Sequence, residues 1–210
     1  ADHAMFFSRA RGAGLKGADV ALVVGVPMDF RLGFGGSFGE ETKLVWLDVA
    51  PNELDRNRTP EVELVGGIVP TLAAIREAAG GADPARTRPW VEAVGATEEE
   101  KRAAERAELD DERAPLHPMR VYKGLAEVLD RDAIVIGDGG DFVSYAGKVV
   151  ETYEPGSWMD PGPYGCLGTG MGYAMGARLT YPDRQICVLL GDGASGFSLM
   201  DVEALVRQKL

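Results

Sequence analysis

Gln185-Ile186-Cys187-Val188-Leu189-Leu190-Gly191-Asp192-Gly193-Ala194-Ser195 is an apolar run that breaks abruptly into Gly-Asp-Gly. The short run bounded by glycine predicts a buried strand of an open α/β sheet. Its end carries the chemistry. A strand terminus lies at the carboxyl edge of a parallel sheet, glycines let backbone N–H groups approach a ligand closely, and one carboxylate stands where a cation would sit. Together these features can hold a diphosphate through a metal ion.

The same grammar recurs upstream. Ala133-Ile134-Val135-Ile136-Gly137-Asp138-Gly139-Gly140-Asp141 is a second apolar strand ending in Gly-Asp-Gly, and a helix over residues 170–181 lies between the two. Pro115-Leu116-His117-Pro118-Met119-Arg120-Val121 opens another helix, with Pro118 in its first turn, His117 helping to start it, and Val121, Leu125, Val128 and Leu129 at helical spacing. In the first part of the chain, Ala18-Asp19-Val20-Ala21-Leu22-Val23-Val24-Gly25 reads as a strand buried on both faces and Lys43-Leu44-Val45-Trp46-Leu47-Asp48-Val49 as a second. Residues 26–36 are too glycine-rich for a continuous helix and predict a ligand-facing or surface loop. Pro51-Asn52-Glu53-Leu54 predicts a turn, residues 63–65 a third strand and residues 71–79 a helix.

Gly80-Gly81-Ala82-Asp83-Pro84 punctuates the chain, and Thr97-Glu98-Glu99-Glu100-Lys101-Arg102 opens a charged stretch with almost no apolar face. Thr97 with Glu100 fits a capping box, so a solvated linker helix is expected to start there. The fold class is therefore α/β, with two open parallel-sheet three-layer units, both incomplete, joined by a charged linker. The expected boundaries are 1–80, 81–113 and 114–210. A last helix over residues 197–208 carries Val202, Leu205 and Val206, which need a following element to pack against.

Composition excludes several classes of function. A net charge of −11 argues against nucleic acid or an anionic membrane as partner, so an anionic ligand must be met by backbone dipoles or a metal. No apolar run reaches the ~18 to 20 residues of a membrane span. Ala1-Asp2-His3-Ala4 lacks the basic-then-apolar order of a signal peptide, and the expected location is cytoplasmic. Cys166 and Cys187 form no CxxC pair; Cys187 reads as a buried structural thiol, and Cys166 lies in a glycine-rich turn where proximity to a ligand is plausible. His3 and His117 support neither a histidine triad nor a histidine metal cluster. Residues 165–176 resemble a dinucleotide fingerprint in their glycines, but Pro161-Gly162-Pro163-Tyr164 rather than a strand precedes them. Small residues at Gly172, Gly176 and Ala177 instead suit close helix packing.

His117-Pro118-Met119-Arg120-Val121, Gly137-Asp138-Gly139-Gly140, Leu167-Gly168-Thr169-Gly170-Met171-Gly172 and Pro182-Asp183-Arg184 leading into Gly191-Asp192-Gly193 occur in this order. In order and spacing they resemble the C-terminal domain of thiamine diphosphate enzymes, and among these the acetolactate synthase group. Residues 18–58 resemble the end of that family's central domain. The resemblance implies Asp192 as a first Mg2+ ligand, with Gly191, Gly193, Ala194 and Ser195 lining the diphosphate through backbone groups. It implies that Gly139, Gly140, Asp141 and Phe142 form a loop touching the cofactor. Asp141 departs from the pattern, since a carboxylate beside a diphosphate is repulsive; it is expected to cap the following helix while its backbone N–H does the binding. Leu167 occupies the place of the bulky apolar side chain that bends the cofactor, or is a plain core leucine.

The family's second Mg2+ ligand, an asparagine, and its activating glutamate have no counterpart in these residues, the latter belonging to a partner subunit's N-terminal domain. The expectation is a fragment of a longer enzyme, inactive alone, whose parent is a homodimer or homotetramer. That parent is expected to condense 2-oxo acids with decarboxylation, as acetolactate synthases do. Activities similar to 2-hydroxyacyl-CoA lyase, oxalyl-CoA decarboxylase or benzaldehyde lyase, the first with an acyl-CoA substrate, are alternatives, and a non-catalytic nucleotide-binding module is a further one. Acetolactate synthases of the anabolic type also carry FAD in the central domain. The Asp29-Phe30-Arg31 loop is placed for such a dinucleotide, with Arg31 meeting a phosphate or forming a surface ion pair.

Overall fold

A computed structural model describes residues 1–51, 57–81 and 83–210, so most of the expected turn at Pro51-Asn52-Glu53-Leu54 lies outside the described residues. The chain divides into two compact units, one of residues 7–103 and one of residues 1–6 with 104–210. Both are α/β, and each is built on a three-stranded parallel sheet.

In the unit of residues 7–103, α1 (Arg11–Gly17) leads to β1 (Val20–Val24), β2 (Lys43–Asp48) and β3 (Val62–Val65), in sheet order β1-β2-β3, and then to α2 (Ile68–Ala78). Val23, Leu44 and Trp46 form its core with Met28, Leu32 and Phe38 from the loop between β1 and β2. That loop coils into a short 3-10 segment, Phe30–Gly35, which turns left-handed at Gly33, Phe34 and Gly35. β1 is not buried on both faces as expected: Val20 is 59% exposed and Leu22 44%. β1 is an edge strand, the loop covers one face only, and α2 buries none of its residues.

The charged helix also differs from expectation. α3 runs over Pro84–Leu109, so it starts well before the capping-box signal. Thr97 lies in its interior with Oγ1 donating to the Ala93 carbonyl, and caps nothing. Nor is this helix wholly solvated, because Val94 and Glu98, one turn apart, are buried. Glu98 Oε2 accepts the backbone N–H groups of Arg9 and Ala10 at 2.7 and 2.8 Å, and Arg102 donates to Oε1 at 2.7 Å. α1 has no capping side chain of its own, so α3 supplies an acceptor where α1 begins.

The second unit contains α4 (Pro118–Ala126), β4 (Ile134–Asp138), α5 (Asp141–Val149), β5 (Trp158–Met159), α6 (Gly170–Thr180) and β6 (Ile186–Leu190). α7 (Asp192–Ser198) and α8 (Val202–Gln208) follow, joined by a 3-10 turn at Leu199–Asp201. The last helix is thus broken where a continuous one over residues 197–208 was expected. His117 starts α4 as predicted, its Nδ1 accepting from Met119 N. The sheet order is β5-β4-β6, and the central β4 is buried throughout. Period-2 alternation sorts its side chains: Val135, with Cys187 and Leu189 of β6, packs among Tyr122, Ala146 and Val150. Ile134 and Ile136, with Ile186 and Val188, pack on the other face against Ala174 and Ala177 of α6. Helices on both faces make this unit three-layered. Among the described residues no helix is long and apolar enough to cross a membrane.

Candidate functional site at the paired strand ends

β4 and β6 are neighbours in register, Gly137 beside Leu189 and Asp138 beside Leu190. The two Gly-Asp-Gly motifs therefore emerge side by side at one edge of the sheet. From β4 the chain passes through α5 on one face to β5, then returns through α6 on the opposite face to β6. The crevice between the carboxyl ends of β4 and β6 is thus a topological switch point, where open α/β sheets bind ligands. The loops touch: Gly191 N donates to the Asp138 carbonyl at 3.1 Å, and a Cβ on Gly139, whose φ is +153°, would stand 3.2 Å from Gly191 N.

The two aspartates play different parts. Asp138 is fully buried, and its carboxylate accepts Gly168 N at 2.9 Å and Gly170 N at 2.7 Å. It thereby caps α6, which has no side-chain cap at Thr169. Asp192 is exposed in the first turn of α7. Among the described residues no group of three His, Cys, Asp or Glu side chains gathers to hold a metal, so Asp192 offers a single carboxylate. Among the described residues no side chain caps α7 either. The N–H groups of Asp192, Gly193 and Ala194 consequently have no intrahelical acceptor and suit an anion. Ser195 spends its hydroxyl on the Gly191 carbonyl at 3.0 Å, and the Ala194 methyl is buried, which leaves the backbone of both to face a ligand.

The glycines test whether the site fits a diphosphate and its metal. Gly137, Gly168 and Gly170 are demanded by packing: a Cβ on the first would overlap Val143 Cγ1, on the second would lie 2.6 Å from Phe197 Cβ, and on the third 2.9 Å from Asp138 Cβ. Gly140 and Gly193 face open space, and Gly191 nearly so, with its nearest neighbour 3.9 Å away. Among the described residues no atom crowds these three positions. A ligand approaching the backbone between an uncapped helix and a free carboxylate fits that pattern.

Asp141 does not cap α5, because the N-cap is Gly140 and no side-chain cap bond forms; Asp141 lies in the first turn, where the helix dipole favours a carboxylate. Phe142 turns its ring to the core, 4.8 Å from the Tyr122 ring, while its carbonyl accepts from the Tyr122 hydroxyl at 2.9 Å. Leu167 is 43% exposed and so is not a plain core leucine; it projects from a turn between left-handed Gly165 and Gly168. Cys187 is half-buried and burial pushes its thiol pKa up, as suits an inert packing residue, whereas Cys166 is exposed on the Leu167 turn. Among the described residues Thr169 Oγ1, just after this turn, and Ser198 Oγ, at the end of α7, are buried without hydrogen-bond partners. Asp138 is the residue whose role the sequence reading missed: its motif was visible, but its donors lie 30 and 32 positions away.

Comparison with known proteins agrees with this geometry. The profile of the thiamine pyrophosphate enzyme C-terminal TPP binding domain matches residues 138–210, which run from Asp138 of the first motif through the Leu167 turn and the whole of Gly191-Asp192-Gly193. The chain is 50% identical over its whole length to a probable acetolactate synthase of Mycobacterium bovis and to the acetolactate synthase large subunit IlvG of Mycobacterium tuberculosis, covering 38% of each. It is also 32% identical over its whole length to 2-hydroxyacyl-CoA lyase 2 of Caenorhabditis elegans, covering 34% of that protein. The chain thus spans a little over a third of the length of these relatives. With the family's C-terminal domain profile on the paired strand ends and half its residues shared with acetolactate synthase large subunits, the chain belongs to the thiamine diphosphate-dependent enzyme family.

Proposed function

We propose that these residues form the diphosphate- and metal-facing wall of a thiamine diphosphate- and Mg2+-dependent enzyme that condenses 2-oxo acids with decarboxylation, as an acetolactate synthase does. The observation carrying this reading is the pair of touching Gly-Asp-Gly loops at the switch point, with glycines that open on space beside a free carboxylate. When bound, thiamine diphosphate supplies an electron-accepting ring that lets a 2-oxo acid lose CO2 and the remaining carbon add to a second carbonyl. The chain's own residues bind and orient. Asp192 would ligate Mg2+, and the N–H groups of Gly193 and Ala194 would donate to phosphate oxygens. Gly139, Gly140 and the Asp141 N–H would line the opposite side, and Leu167 would present the apolar surface.

In this reading residues 1–80 close a central domain, 81–113 connect it and 114–210 begin the cofactor domain of a cytoplasmic homodimer or homotetramer. The activating glutamate and the second metal ligand come from elsewhere in that assembly. The Arg31 guanidinium is forked onto Asp29, with Nη2 to Oδ2 at 2.7 Å, which favours the surface ion pair over a phosphate contact to FAD. A yellow full-length protein with flavin absorbance would reverse that preference.

The test is product analysis on the full-length protein. With pyruvate, thiamine diphosphate and Mg2+, CO2 release matched by acetolactate is expected. Cleavage of a 2-hydroxyacyl-CoA with no acetolactate would instead favour the lyase reading, which the 32% relative motivates. Turnover of neither substrate class, with thiamine diphosphate left unbound, would leave the chain as a non-catalytic module.

A further inference from the structure

We propose that Asp138 is the positioning residue of the cofactor site, setting the separation between the apolar Leu167 turn and the anion-facing Gly191-Asp192-Gly193 loop without touching the ligand itself. Its two ends hold two walls. The carboxylate fixes the turn through Gly168 N and Gly170 N, at 2.9 and 2.7 Å, and the backbone carbonyl fixes the other loop through Gly191 N at 3.1 Å. The carboxylate is completely buried, so water cannot stand in for either donor.

The turn has no slack. Gly170 lies so close to Asp138 that a Cβ there would be 2.9 Å from both Asp138 Cβ and Oδ2, and a Cβ on Gly168 would meet Phe197 Cβ at 2.6 Å. Releasing Asp138's grip therefore displaces Leu167 rather than letting the turn relax in place. The walls also differ in chemistry. Asp192 and the uncapped N–H groups suit a diphosphate with its metal, and exposed Leu167 suits the face of an aromatic ring. An amphiphilic ligand needs both at a fixed distance. That ligand is thiamine diphosphate in the function proposed above, on which this inference rests.

Because the two ends of Asp138 act separately, they can be tested separately. Asp138→Asn keeps the carbonyl and the strand but replaces one acceptor oxygen with an NH2 group that faces an N–H donor. Calorimetry on the full-length protein with Mg2+ should compare inorganic pyrophosphate with thiamine diphosphate. In Asp138→Asn, pyrophosphate affinity should stay within about twofold of wild type, while thiamine diphosphate affinity falls about 10- to 100-fold. Gly170→Ala, whose Cβ would stand 2.9 Å from Asp138 Oδ2 and so disturbs the same turn at the Asp138 contact itself, should give the same split and keeps the test open if Asp138→Asn does not fold. Adding Leu167→Ala to Asp138→Asn should cost less than Leu167→Ala alone. Equal loss of both ligands, or thiamine diphosphate affinity unchanged in both variants, overturns the proposal while the function reading stands. A wild-type protein that does not bind thiamine diphosphate with Mg2+ overturns both.

Discussion

Asp138 and Asp192 occupy the same position in two copies of one motif, and their surroundings separate them. Asp138 is enclosed by N–H donors from residues 168 and 170, whereas Asp192 stands exposed at the start of an uncapped helix. The motif, common to both, does not decide which aspartate is exposed. The fate of Asp138 could not be read locally, because it depends on a turn some thirty residues away. Glu98 repeats the lesson: a residue within a charged run is 6% exposed and accepts two backbone donors from the N-terminal segment. Burial pushes its carboxyl pKa up, but hydrogen bonds from Ala10 N, Arg102 and Arg9 N outweigh it and hold the pKa below the ordinary 4.5. A depressed folded-state pKa stabilises above the unfolded value and loses that contribution as pH falls through the folded one. Glu98→Gln should therefore lower stability by about 1–2 kcal/mol at pH 7, and its melting curve should approach the wild-type curve below about pH 4. A gap that is constant from pH 7 to pH 3 would contradict the ionised contact.

At the scale of elements, β4 was the most legible, since an apolar run ending in glycine can only be a central strand if both faces are covered, and both are. Two elements misled for physical reasons. A Thr-x-x-Glu spacing can lie inside a helix, where the Thr97 hydroxyl bonds back to Ala93. An apolar strand can sit at a sheet edge with one face open, as β1 does. The contact between β4 and α5 gives a prediction at this scale. Gly137→Ala would drive a methyl into Val143 and cost about 1–3 kcal/mol. Trimming the obstacle with Val143→Ala should recover part of that loss in denaturant melts. A double mutant as unstable as the sum of the two single changes would show that the crossing is not limited by this overlap.

For the whole molecule, the charge of −11 and the fold point the same way. In the proposed function an acidic chain would bind an anionic cofactor through backbone N–H groups and a cation, and the carboxyl edge of the second sheet carries uncapped N–H groups beside the exposed Asp192 carboxylate. The family was legible because its motifs fall in order along the chain. The link between the motifs was not, because the donors that hold Asp138 lie 30 and 32 positions along the chain. The most direct measurement is calorimetric titration of the full-length protein with thiamine diphosphate, with and without Mg2+, in wild type and Asp192→Ala. The account predicts binding that requires Mg2+ in the wild type and weakens at least about 100-fold in the variant, given a lost charge-assisted metal contact. Binding that is indifferent to Mg2+, or unchanged in Asp192→Ala, would contradict it.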